Sequence, residues 1–265
     1  MSDRGRAVSD AVQSDPWTEL RRHTAARLAL GRCGASLPSV EVLRLGLAHA
    51  QARDAVHVAF DAERVRAELT VHGFDLLEVR SAAPDRATYL HRPDLGRRLS
   101  GGDRAMLDTA AGGGCDVLCV VGDGLSAPAV HRHASALLIE LRARFEALGL
   151  RLGPVVLAHR ARVALGDEIG ERLRAGLVVV LVGERPGLSS PDSLGAYLTW
   201  RPRVGRTDAE RNCVSNIRPE GLAASEAARR IAWLVDAARR LGATGVRLKD
   251  GSDATGEIGV AKKGA

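Results

Sequence analysis

From Cys115 onward, short unbroken apolar runs alternate with longer amphipathic stretches. DVLCVVGDG is followed by SAPAVHRHASALLIELRARFEALG, then GPVVLAHR, then GDEIGERLRA, then LVVVLVGERPG. Val178, Val179, Val180, Leu181 and Val182 are apolar without alternation, the pattern of a strand covered on both faces. Strand and helix in this order predict a parallel sheet with right-handed crossovers. EGLAASEAARRIAWLVDAARRLG places Ile231, Leu234, Val235 and Ala238 on one side, which predicts a helix covering one sheet face. The region 15–101 reads as mainly helical. Pro16 follows Asp15 as a cap and opens WTELRRHTAARLAL, with a stop near Gly31. A second helix is predicted from Ser39 as cap through VEVLRLGLAHAQARDAVHVAF, with Val42, Leu45, Ala48 and Ala52 near one face, and a third over Ala62 to His72. Two short strands are expected around Phe74 to Val79 and Thr88 to Leu90. The fold class that follows is α/β: a Rossmann-like, mostly parallel sheet with flanking helices over 102–249, preceded by the helical amino-terminal region. Residues 1–14 are expected to be flexible, and the small, polar, Gly-rich stretch 250–265 to be disordered.

Composition narrows the function classes. A chain of 265 residues with 45% hydrophobic content can build substantial cores. No run of about eighteen uncharged apolar residues occurs, and MSDRGRAVSDAVQSD lacks the apolar segment of a secretory signal, so no membrane association and cytoplasmic residence are expected. Cys33, Cys115, Cys119 and Cys213 contain no CxxC pair, which argues against a zinc site or a disulfide framework. The net charge of +6 comes from 38 basic residues, 35 of them arginine, dispersed among acids, and aromatics are only 3%. A nucleic-acid partner is therefore not expected, for want of a basic stripe or stacking platform.

Several groups carry candidate chemistry. In VGERPGL, Glu184 stands at the carboxyl end of a buried strand between Gly183 and Gly187, where such sheets hold their ligands. A carboxylate there can accept charge-assisted hydrogen bonds from ligand amides; the alternative is a surface pairing with an arginine. RNCVSNI offers Cys213 beside Asn212, Ser215 and Asn216, short polar groups suited to an amide-rich ligand, although Cys213 could equally serve as a small buried hydrophobe. GDGLS, ending at Ser126, precedes a helix, and reads either as an anion or amide site at the helix start or as an ordinary capped turn. His131 and His133, two apart on a helix, cannot simply share a metal. HExxH, GxSxG and DxHxxG do not occur, so no catalytic residue and no protein metal ligand is assigned.

RPDLGRRL, VVGDGLS, VGERPGLSSPDSLGAYLTW and DAERNCVSNIRPEG together resemble the small subunit of ethanolamine ammonia-lyase, over about Asp15 to Lys249. The resemblance implies an adenosylcobalamin-dependent enzyme of two chain types that converts ethanolamine to acetaldehyde and ammonia by a radical mechanism. The larger barrel subunit would hold the substrate, and this chain would bind the corrin from the other side, within a higher hetero-oligomer. It implies Val163, Glu184 and Cys213 as cobalamin contacts, and 102–249 as the cobalamin-binding domain. Val163 can act only through its main chain or by apolar packing, and ordinary packing is its alternative. The missing DxHxxG accords with a cofactor that keeps its own dimethylbenzimidazole on cobalt. The short segment before Asp15 leaves encapsulation in a bacterial microcompartment open. Two readings from other classes stand beside this one: a freestanding nucleotide-binding α/β protein using GDGLS, and an assembly module whose loops touch only protein.

Overall fold

The computed structural model describes residues 12–253. Six strands form one sheet: β1 (Leu76–Arg80), β2 (Cys115–Gly122), β3 (Val155–His159), β4 (Ala175–Gly183), β5 (Leu194–Trp200) and β6 (Arg211–Ile217). Their order is β1-β3-β2-β4-β5-β6; the first four are mutually parallel, and β5 and β6 return antiparallel. The helices are α1 (Ser39–His57), α2 (Ala62–Val71), α3 (Arg86–His91), α4 (Gly101–Ala110), α5 (Ala127–Ala147), α6 (Leu165–Arg172) and α7 (Ala224–Leu241).

The apolar runs feed two cores because alternate residues of a strand point to opposite faces. One face, with Val117, Cys119, Val121, Leu177, Val179 and Leu181, packs against α2, α5 and α7 through Leu69, Leu137, Leu138, Leu141, Ile231 and Val235. The other, with Leu118, Val120, Val156, Val178 and Val180, packs against Leu107 of α4 and Leu165 and Ile169 of α6. Helix α6 approaches β4 so closely that a Cβ on Gly166 would lie 2.3 Å from Val180 Cγ2; only glycine permits this contact. Covering β4 so tightly with a short helix leaves β5 and β6 open on that face. Tyr197 is half-buried there, and Cys213 and Ser215 are exposed.

The strands and helices expected between Cys115 and Gly183, and the final helix, are all present. Elsewhere the chain departs from its local pattern. The helix expected after Asp15 is a 3-10 turn over Thr18–His23, and Asp15 Oδ1 accepts from the Trp17 N–H at 2.8 Å. Trp17 and Leu20 are exposed, so no apolar face repays the ordering of a longer helix. Helix α1 begins at Ser39 itself, with Pro38 before it and no side-chain cap. It buries Glu41, Ala48 and Ala55 and turns Val42 outward. Thr88 to Leu90 are helical rather than extended, because the Asp85 side chain caps α3 by accepting from the Thr88 N–H at 2.7 Å. Strands β5 and β6 were not anticipated.

The flexible segment expected over 1–14 and the disordered tail over 250–265 fall mostly outside the described residues. Within them, Gln13 N–H donates to Arg32 O (2.8 Å), and Arg229 of α7 donates through Nη1 to Ser252 O (2.7 Å). Among the described residues, no helix is long and apolar enough to cross a membrane.

Candidate functional site

Glu184 follows the last residue of β4, and its N–H still pairs with Ser193 O across the turn into β5 (3.0 Å). Its carboxylate is clamped from three sides. Oε2 accepts from Ser193 Oγ (2.5 Å) and from the Asn216 N–H (3.3 Å), while Oε1 accepts from Ser215 Oγ (2.6 Å). Asn216 adopts a left-handed backbone (φ 58°) near the register shift between β5 and β6, the irregularity that brings its N–H to the carboxylate. Gly195 makes the seat: a Cβ there would stand 2.8 Å from Glu184 Oε1 and 3.0 Å from Tyr197 Cε2. An ionised carboxylate has about four acceptor sites, so three donors leave about one for a ligand, in a fixed direction.

Cys213 lies directly opposite Tyr197 in the β5–β6 ladder. The residue is exposed on its strand, yet surrounding protein desolvates the sulfur and pushes the thiol up to about 11; the Tyr197 hydroxyl partly opposes this and the nearby Glu184 charge adds to it. The same enclosure raises the Tyr197 phenol above its usual range. At neutral pH the thiol is therefore protonated, a weak hydrogen-bonding group rather than a nucleophile.

Val163 sits between β3 and α6. Its carbonyl accepts from the Gly166 N–H (3.0 Å) in the first turn of that helix, and its side chain packs on the core of the α6 face, to which Val182 and Tyr197 also belong. The structure thus gathers Glu184, Cys213, Ser215 and Tyr197 on the open floor of β5 and β6, and sets Val163 at the apolar edge of the same face. The floor is tied to α6 by a buried pair in which Arg211 donates through Nη1 and Nη2 to both carboxylate oxygens of Asp167 (2.6 Å each), and also to Thr199 Oγ1 (2.8 Å).

Ser193, Gly195 and Tyr197 did not emerge from the sequence reading. The available signal was the period-two pattern of Leu194, Ala196 and Leu198 against Tyr197 and Thr199. GDGLS forms an internal turn: Ser126 Oγ donates to Pro191 O (2.8 Å) and accepts from Ala129 N (3.4 Å), and Leu125 N–H donates to Gly183 O (2.9 Å). Its hydroxyl is spent on capping α5 and holding the β4–β5 turn. His131 accepts from Asp61 N–H (2.9 Å), whereas His133 lies 3.6 Å from Asp192, so the two have separate neighbours. Among the described residues no three His, Cys, Asp or Glu groups converge to hold a metal.

Comparison with known proteins adds to this geometry. The family model of the ethanolamine ammonia-lyase light chain (EutC) matches residues 14–249. The ethanolamine ammonia-lyase small subunit of Xanthomonas campestris pv. campestris is 55% identical over 242 residues, covering 90% of this chain and 89% of the relative. That of Bradyrhizobium diazoefficiens is 55% identical over 245 residues, with 91% and 93% covered. The protein of the same name from Ralstonia nicotianae is 50% identical over 256 residues, with 96% and 95% covered.

Proposed function

Because the chain belongs to the ethanolamine ammonia-lyase light-chain family, we propose that it is the subunit that seats adenosylcobalamin against a larger, substrate-holding partner. The observation that carries this reading is the open half of one sheet face, where Glu184 is held with about one acceptor site unspent. A corrin ring bears several amide arms, so its floor needs separated acceptors and donors on a rigid support. The residues present fit that need. Glu184 accepts an amide N–H with charge assistance, which roughly doubles the strength of the bond. Ser215 and the protonated Cys213 thiol offer further short polar groups on β6, and Val163 with Tyr197 supplies an apolar margin.

When bound, adenosylcobalamin supplies the radical chemistry by which ethanolamine becomes acetaldehyde and ammonia. This chain's residues bind and orient. The clamp on Glu184 keeps its carboxylate from swinging into solvent, and the covered strands beneath it keep water from the underside of the floor. Ethanolamine and the reacting side of the cofactor belong to the large subunit, in a higher hetero-oligomer.

Retention of cobalamin by the purified two-chain complex, followed by visible absorption and calorimetry, tests the proposal. Glu184→Ala and Cys213→Ala are each expected to weaken binding by about 1–3 kcal/mol, as when a buried polar group loses its partner. Unchanged affinity in both variants would instead favour an assembly role with protein-only contacts.

A further inference from the structure

After β2 the chain crosses to α5 on one face of the sheet, and after the adjacent β3 it crosses to α6 on the other. Such a divergence between neighbouring parallel strands opens a crevice at their carboxyl ends, the usual ligand position of open α/β sheets. A cavity of about 180 Å³ occupies it, lined by His57, Phe60, Arg86, Asp123, His159 and Arg160 together with Val58 and Ala59. Val163, Glu184 and Cys213 take no part in its wall.

The charges around this cavity are unevenly satisfied. Asp123, at the end of β2, is buried and accepts from Arg86 Nη1 (3.1 Å) and from the Ala161 N–H (3.0 Å). Glu78, behind the wall, is paired with His159 Nε2 (2.8 Å) and Arg66 Nη2 (2.6 Å). The acids are therefore spent within the chain. Arg86 is spent on Asp123 in turn, and its guanidinium lies over the Tyr89 ring, 4.9 Å from the centroid, whereas Arg160 has no such pairing. Arg86 is fixed by Nε donating to Val56 O (2.8 Å) and Nη1 donating to Gly124 O (2.8 Å), but its Nη2 is buried with no hydrogen-bond partner. Arg160 holds a left-handed backbone (φ 52°), a conformation that persists in a residue with a side chain where its surroundings impose it. Its Nε donates to Ala83 O (2.7 Å), which fixes the guanidinium plane, and its two terminal nitrogens have no hydrogen bond or ion pair to any described residue. The oriented Arg160 guanidinium, with both terminal nitrogens unspent, suits the oxygens of a phosphate or carboxylate; Arg86 stands in the wall with its unpaired Nη2 closed off from the cavity, and Val58, Ala59 and Phe60 add an apolar side.

We infer that the cavity between the ends of β2 and β3 binds a small oxyanion, a phosphate or carboxylate bearing a short apolar group, through the terminal nitrogens of Arg160. This site is separate from the Glu184 floor, and its occupancy does not depend on cobalamin.

Calorimetry on the two-chain complex at constant ionic strength, with inorganic phosphate, ethyl phosphate and propionate as probes, tests the inference and separates the two anion types. Saturable binding of at least one probe is expected. Arg160→Gln should weaken it about tenfold or more through loss of charged hydrogen bonds, with an unchanged thermal midpoint, while Arg160→Lys should retain part of it. No saturable binding of any probe, or equal affinity in Arg160→Gln, would overturn the inference. Displacement of the anion by stoichiometric cobalamin would also overturn it, by making the cavity part of the cofactor's own site.

Discussion

At the scale of single residues, the floor rests on a few contacts with no slack. Glu184 keeps its direction because Gly195 has no side chain. Gly195→Ala is expected to destabilise the fold by about 1–3 kcal/mol through overpacking and to lower cobalamin affinity in parallel with Glu184→Ala. Denaturant unfolding and calorimetry read the two effects separately, and a variant with normal cofactor affinity would show that the seat of the carboxylate is not what matters. The Asp167–Arg211 pair, with side chains only 2% and 3% exposed, joins α6 to β6. Asp167→Ala strands a buried guanidinium and is expected to cost about 3–5 kcal/mol. A loss under about 1 kcal/mol in urea unfolding would mean that Arg211 finds other partners. Glu184 and Cys213 were legible because their strings are distinctive and Glu184 closes an unbroken apolar run. Ser193 and Tyr197 were not, since they reach Glu184 and Cys213 only through the antiparallel return of β5, a long-range pairing that local pattern does not encode.

At the scale of elements, the parallel strands and their helices were readable because burial on both faces enforces a continuous apolar run. Strand β5 interrupts its apolar residues with Gly195, Tyr197 and Thr199, and β6 alternates Val214 with Cys213 and Ser215 on its open side, so neither has that signature. The segment after Asp15 has helical spacing but nothing to pack against, and tertiary context overrides its propensity. Helix α1 goes further and exposes its larger aliphatic residues, Val40 at 50%, Leu43 at 73% and Leu47 at 59%, while burying Ala48 and Ala55. Helix α7 shows how charge completes an element. Glu226 in its first turn is drawn down to about 2 by hydrogen bonds from Arg229 and then Arg230, and both arginines also reach Asp253. A carboxyl whose pKa falls on folding stabilises the folded arrangement above its ordinary value of 4.5, and that contribution is lost as pH drops towards about 2. Amide hydrogen exchange at Ser252 and Asp253 is therefore expected to lose protection, relative to the core strands, between those pH values. Protection unchanged across this window would show that the arginine network does not hold the segment.

At the scale of the whole molecule, the sheet is covered on one face and half-covered on the other, and the uncovered half, on the antiparallel strands, is polar, as suits a face that meets solvent or a polar ligand. On the proposed reading, this open polar half seats the cofactor and the reacting centre belongs to the large subunit. The isolated chain is expected to produce no acetaldehyde from ethanolamine and adenosylcobalamin, and to do so only with the large subunit; turnover by the chain alone would contradict this division of labour. The most direct measurement is a structure of the two-chain complex with cobalamin bound. The account predicts the corrin over β5 and β6, with an amide arm on Glu184 and the ring's margin beside Cys213 and Val163. A corrin seated away from Glu184 and Cys213 would contradict it.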